Sequence, residues 1–223
     1  MIAEPFDTAT QRYAGTAPER LTTVVVGTSP PAPLPPVPCP SPWTCADIGS
    51  PTPSGSHTFD PSTGTWTIQA GGSDITGTSD QFHFDWQSMT GDGTVSAHVV
   101  SQTNSSSNAK AGIMLRTSTD PGSPNYAVLV SPGAGIKVQV RSAQGGTTTK
   151  IANPTGTTPV YLQVTRSGNT LSSYTSSDGT TWTLIPGSTA TVSLGSTVLA
   201  GLAVTSHNSG VSCTVVMDSV SLS

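Results

Sequence analysis

Ile136-Lys-Val-Gln-Val-Arg141 alternates apolar and polar residues at every step. A period of two puts Ile136, Val138 and Val140 on one face of a strand and Lys137, Gln139 and Arg141 on the other. The pattern recurs in Val160-Tyr-Leu-Gln-Val-Thr165, and Val198, Ala200, Leu202 and Val204 form a further inward row. Such alternation belongs to antiparallel strands with one face on a core and the other wet. Outward from these runs, strands are predicted at about 57–60, 64–70, 81–88, 93–102, 110–118, 125–131, 135–142 and 146–151. They continue at about 159–167, 170–176, 181–185, 189–194, 198–207 and 211–222. Turn residues separate them, and Ser177-Asp-Gly-Thr180 closes a hairpin because Asp-Gly accepts the positive φ of a tight turn. The prediction is an all-β, two-sheet antiparallel sandwich over 43–223.

The composition narrows the function classes. Of the 223 residues only 9% are charged, so solubility rests on hydroxyls and amides rather than on a charged coat. A formal charge of −4 with singly scattered Lys and Arg argues against a nucleic-acid partner. No apolar run is long enough to insert in a membrane as a helix. Residues 1–28 hold both glutamates, Glu4 and Glu19, and read as the tail of a preceding module. The stretch 29–42, Ser-Pro-Pro-Ala-Pro-Leu-Pro-Pro-Val-Pro-Cys-Pro-Ser-Pro, reads as a semi-rigid polyproline spacer to a covalently linked neighbouring domain. The hydroxyl-rich, Lys-poor composition suits an extracellular or cell-surface protein. The chain opens without a secretory signal, so the expectation is a portion of a longer exported protein.

Three cysteines are present. Cys39 and Cys45, six apart, are either a small disulfide loop or two thiols in a linker. Cys213 lies in an alternating run and reads as a buried small hydrophobe. The odd count and the absence of close His/Cys spacing speak against zinc. Of the four histidines, His83 alternates with Phe82 and Phe84 and is read as facing away from them and opposite Asp85. Trp43 and Trp66 are read as core.

The ordered succession Asp47-Ile-Gly, Gly64-Thr-Trp-Thr-Ile, Gly91-Asp-Gly-Thr-Val, Ala109-Lys-Ala-Gly-Ile-Met-Leu-Arg116, Asp178-Gly-Thr-Thr-Trp182 and Gly201-Leu-Ala-Val-Thr-Ser-His207 resembles a bacterial extracellular module. That module belongs to the concanavalin A-like lectin/glucanase superfamily, whose laminin-G-like members are jelly rolls. The resemblance covers about 43–223 and implies a jelly-roll sandwich, often with carbohydrate-binding function. Superfamily members that cleave β-glucans carry Glu-x-Asp-x-x-Glu on one strand, and this domain has no glutamate at all. Asp74, Asp80, Asp85, Asp92, Asp120 and Asp178 mostly sit beside Gly, Pro or Ser, where aspartate caps turns. A non-catalytic role is therefore expected. Jelly-roll binding modules also hold a structural Ca²⁺ where the first and last strands meet, and Asp47 and Asp218 occupy those places in sequence order. No other cofactor is implied.

Sugar recognition needs a ring against the apolar face of a pyranose and planar polar groups for its hydroxyls. Arg116, Lys137, Gln139 and Arg141 supply the polar row, and Tyr126, Tyr161, Trp86 and His83 the platform. The leading expectation is a carbohydrate-binding module whose partner is a polysaccharide or glycan. The alternatives are a structural or adhesive spacer without a small ligand, and an Asp-dependent glycoside hydrolase. An exposed ring beside Arg116 and Arg141 would favour sugar binding, whereas arginines paired off with no ring would favour the spacer.

Overall fold

The computed structural model describes residues 38–223. The segment 1–28 and the spacer as far as residue 37 lie outside the described residues. Fifteen strands follow one another: β1 Thr44–Ile48, β2 Ser56–Asp60, β3 Thr65–Ala70, β4 Phe82–Thr90, β5 Gly93–Gln102, β6 Lys110–Arg116, β7 Asn125–Ser131 and β8 Gly135–Arg141. Then come β9 Thr149–Ala152, β10 Val160–Ser167, β11 Thr170–Ser176, β12 Thr183–Leu184, β13 Ala190–Thr191, β14 Thr197–Thr205 and β15 Cys213–Leu222. Among the described residues no helix is long and apolar enough to cross a membrane.

The strands form two antiparallel sheets, one ordered β1-β4-β14-β6-β7-β8-β9 and the other β12-β11-β10-β5-β15-β3-β2 with β13 beside β11. This is the two-sheet antiparallel sandwich expected of the alternation. The one strand absent from the sequence reading is β1, whose Thr-Cys-Ala-Asp-Ile has too short and polar a pattern to stand out. It exists because it pairs with β4, from Thr44 opposite Trp86 to Ile48 opposite Phe82.

The inward rows meet between the sheets. Ile113 and Leu115 of β6, Val128 of β7 and Leu202 of β14 face Ile68 of β3, Val95 of β5 and Leu162 of β10 in one core. Burying side chains of this size stabilises by about 1.5–3 kcal/mol each. Trp66 is in this core and Trp43 packs edge-on against it, ring centroids 5.0 Å apart.

A second apolar cluster lies on the opposite, outer face of the seven-stranded sheet. Phe82, Phe84 and Trp86 of β4, Met114 of β6, Leu129 of β7 and Ala203 of β14 form it, and Ile75 seals it. Ile75 comes from the β3–β4 connection, residues 71–81, which folds back across this face. Carbonyls of that connection are anchored by the sheet's own polar row: Gln139 Nε2 and Lys110 Nζ each donate to Ile75 O at 2.9 Å. Gly49 (φ +70°) admits it at the edge, since a Cβ there would lie 2.0 Å from Asp80 O. The face expected to be wet is thus largely roofed.

Candidate functional site

The roof decides the fate of the polar row. Arg116, Gln139 and Arg141 point from β6 and β8 onto the outer face and are buried, as is Lys137. Arg141 makes a two-pronged ion pair with Asp80, Nη2–Oδ1 2.6 Å and Nη1–Oδ2 2.7 Å, both side chains fully excluded from solvent. Its remaining hydrogens go to carbonyls of Gly146, Pro121, Ser123, Thr76 and Gly77. Arg116 lies 3.5 Å from Asp80, donates to Ser118 O and Asp120 O, and covers the Phe82 ring at 5.1 Å. Neither guanidinium is free to meet a sugar. Both instead clamp the connection onto the sheet.

The rings are likewise committed. Tyr126 faces the core, where its hydroxyl meets Ser173 Oγ at 2.8 Å and donates to Ser188 O at 2.7 Å. Parity places it there, two residues from the core residue Val128 on β7. Trp86 stacks on Phe84 in the outer cluster, centroids 5.1 Å apart. Tyr161 belongs to the other sheet and stacks on His98 at 3.9 Å. His83 points inward, and it shares that face with Asp85: two residues apart on one strand, they cannot be opposed, and the reading that opposed them is corrected. Its Nδ1 is 2.8 Å from Asp47 Oδ1 and its Nε2 3.1 Å from Asp85 Oδ1. Burial disfavours the charged ring, yet the two carboxylates outweigh it and raise the His83 pKa to about 9.

Asp47 and Asp218 lie on different sheets. Asp47 accepts from Gly55 N with both oxygens, and Asp218 pairs with His98 Nδ1 at 3.0 Å. Among the described residues they do not join one group of ligand atoms. Cys39 and Cys45 are joined by a disulfide, Cα atoms 5.7 Å apart, and Cys213 is buried and free.

What stays open is the end of the outer face beyond the roof. A cavity of about 270 Å³ is lined there by Asp74, Lys110, Lys137, Gln139, Lys150 and His207, with Asn108, Thr76 and Thr148 completing the wall. Two hollows are larger, one of about 430 Å³ beside the β7–β8 turn without a charged group and one of about 490 Å³ beside the ends of β10 and β11, where Asp178 is the one charged residue and is taken up by its own turn. Chemistry favours the smallest of the three. Lys110 donates to the Asp74 carboxylate, Lys137 Nζ to Asn108 Oδ1 at 2.8 Å and Lys150 Nζ to Asn153 Oδ1 at 2.8 Å. His207 Nε2 stands 3.7 Å from Asp74 Oδ2. Burial lowers the pKa of Lys110, with Asp74 opposing, and lowers that of Lys137, with Lys110 adding to the fall. Two polar atoms in the wall, Gln139 Oε1 and Thr148 Oγ1, are buried without a hydrogen-bond partner.

Of this site, sequence reasoning named Lys137 and Gln139. Lys110 was within reach of it, because Lys110 and Arg116 are an even number of residues apart on one strand and share a face. Lys150 arrives through β9, opposite Gln139. Asp74 and His207 come from loops, where no periodicity marks them.

Neither a sequence-family model nor any curated protein matches this chain. Solved structures do match. A functionally unknown protein from Saccharomyces cerevisiae superposes with a TM-score of 0.61 at 19% identity, covering 81% of this chain and 95% of that one. Carbohydrate binding module CBM66 from Bacillus subtilis gives 0.51 at 18% identity, covering 81% and 94%. A mutant of the GH43 protein BlXynB from Bacillus licheniformis gives 0.50 at 15% identity over 78% of this chain and only 38% of its own. The likeness is one of fold.

Proposed function

We propose that this domain is a non-catalytic glycan-binding module of the concanavalin A-like superfamily. The glycan sits in the cavity of Asp74, Lys110, Lys137, Gln139, Lys150 and His207. The observation that carries this reading is the convergence of Lys137, Lys150, Gln139, Asp74 and His207 on one open cavity, which offers donors and acceptors together. A hydroxyl-rich ligand both donates and accepts, and so matches a wall that carries ammonium, amide, carboxylate and imidazole groups. Lys110 is offset by Asp74, which leaves the charges of Lys137 and Lys150 to favour a sugar bearing carboxylate or sulfate. The Bacillus subtilis structure of the same fold is a carbohydrate binding module, which supports the class but not the glycan. Hydrolysis by a carboxyl pair is not supported: Asp74 is the one carboxylate among the described lining residues, and glycosidic cleavage ordinarily takes two. The hydroxyl-rich composition and the Cys39–Cys45 disulfide support an extracellular or surface setting. There a Pro-rich tether would raise the local concentration of a linked partner domain at its substrate.

A second reading, a structural or adhesive spacer, is favoured by one observation. Arg116 and Arg141 are paired off with Asp80, and the cavity offers no aromatic platform beyond the His207 imidazole. Calorimetric titration against neutral and acidic polysaccharides decides between them. Glycan binding is expected to weaken about tenfold, roughly 1.4 kcal/mol, in Lys137→Ala and in Lys150→Ala, with Tm unchanged. Absence of binding across the panel leaves the spacer.

A further inference from the structure

The inner face of the sandwich carries a separate polar cluster. His57 of β2 comes from one sheet, and His83 and Asp85 of β4 from the other. One ligand atom from each lies within 4.8 Å of the other two. Asp85 Oδ1 is 3.1 Å from His83 Nε2 and 3.8 Å from His57 Nδ1. Four ligands set tetrahedrally at about 2.0–2.2 Å from one ion are about 3.3–3.6 Å from each other, midway between those separations.

The second observation is independent of spacing. Both nitrogens of His57, Nε2 of His83 and both oxygens of Asp85 are buried without any hydrogen bond, on side chains only 8%, 5% and 0% exposed. His83 Nε2 and Asp85 Oδ1 are a 3.1 Å ion pair without the alignment of a hydrogen bond, and a metal ion would take the place of the proton between them. Polar atoms without a hydrogen bond on three converging buried side chains are hard to sustain in a folded core, and one cation satisfies one atom from each. The outer shell is in place as well. Asp47 takes the Nδ1 side of His83, fixing the ring with Nε2 toward the cluster, and Gly55 N holds both Asp47 oxygens at 3.0 Å. Gly55 has to be glycine for this contact, since a Cβ would fall 2.3 Å from His83 Nδ1.

We propose that His57, His83 and Asp85 bind a divalent first-row transition ion, Zn²⁺ foremost, as a structural cross-link between the two sheets. Two imidazoles and a carboxylate suit zinc, whereas calcium takes six to eight oxygens. The site is enclosed, with the Trp66 ring 6.1 Å from that of His57, and Asp85, neither of whose oxygens makes a hydrogen bond, can supply two of the four donors, so the ion's role is to fasten β2 to β4 rather than to activate water. The Cys39 and Cys45 sulfurs also come within 4.8 Å of a His57 nitrogen, but in the disulfide they are not thiolate ligands.

The test uses the purified oxidised protein, stripped with chelator and then titrated with Zn²⁺ or Co²⁺ alone. Expected are one zinc per chain by elemental analysis, a rise in Tm with zinc, and visible Co²⁺ bands without thiolate charge transfer. His57→Ala and Asp85→Asn should each lose at least tenfold in zinc affinity, and Cys39→Ser/Cys45→Ser should keep it. If the wild-type chain takes up no zinc and shows no cobalt bands, the proposal is overturned and the cluster is an imidazolium held between Asp47 and Asp85. Zinc affinity unchanged in both ligand variants, or cobalt bands with thiolate character, overturns it equally. The wild-type cobalt spectrum keeps the test decisive should a variant fail to fold.

Discussion

Replacing Arg141 with alanine removes one half of a fully buried, two-pronged ion pair. Asp80 loses partners at 2.6 and 2.7 Å, retaining only Arg116 at 3.5 Å, and burial, which already raises its pKa, then acts with less opposition. Five backbone carbonyls, those of Thr76, Gly77, Pro121, Ser123 and Gly146, lose a donor at the same time. Breaking a buried pair from one side costs about 3–5 kcal/mol, because the carboxyl left behind is out of water without its partner. Arg116 offsets part of this and the carbonyls add to it, so about 4 kcal/mol is expected. For a domain of this size that lowers Tm by about 8–16 °C. Urea denaturation of the wild type, Arg141→Ala and the double variant Asp80→Asn/Arg141→Met measures it. The double variant buries no lone carboxylate and should recover about half of the loss. A single-variant loss below about 1 kcal/mol, or a double variant no better than the single, would refute the account of the pair as a buried clamp. Because the clamp holds residues 76–80 over β8, Arg141→Ala also disturbs the neighbouring cavity. Loss of glycan binding in that variant would not make Arg141 a sugar ligand.

Two further substitutions probe other parts of the framework. Tyr126→Phe strands Ser188 O and Ser173 Oγ in the core and should cost about 1–3 kcal/mol in chemical denaturation, with no change in glycan binding. Asp178 Oδ1 accepts from Thr180 N, Thr181 N and Ser176 Oγ, and these hydrogen bonds, the two backbone ones first, hold its pKa well below the ordinary 3.8. A depressed folded-state pKa gives stability that is present above the unfolded value and lost as pH falls through the folded one. Asp178→Ala should therefore lower Tm slightly at neutral pH, with the gap to wild type closing only in strongly acid solution.

Strand positions and faces were legible in the chain because a period of two is a local property of the backbone. Lys137, Gln139 and Arg141 do lie opposite Ile136 and Val138, and nearly every strand falls where its run of residues placed it. β1 is the exception, for its existence depends on β4, a partner more than thirty residues away. Alternation distinguishes the two faces of a strand without saying which of them water reaches. Alternation puts Arg116 and Arg141 on the face that opposes the core, which the chain alone leaves open to water. The connection carrying Ile75 and Asp80 covers that face, and only folding brings its carboxylate and carbonyls against the guanidinium groups. The same holds for the two clusters that bear on function. Asp74 and His207 reach the lysines from separate loops, and His57 meets His83 and Asp85 across the gap between two sheets. No spacing along the chain records such meetings, since sheet pairing and loop packing create them. The sequence by itself determined the strands and their sidedness. The tertiary structure decided which polar groups are spent holding the fold and which are left with nothing to bind.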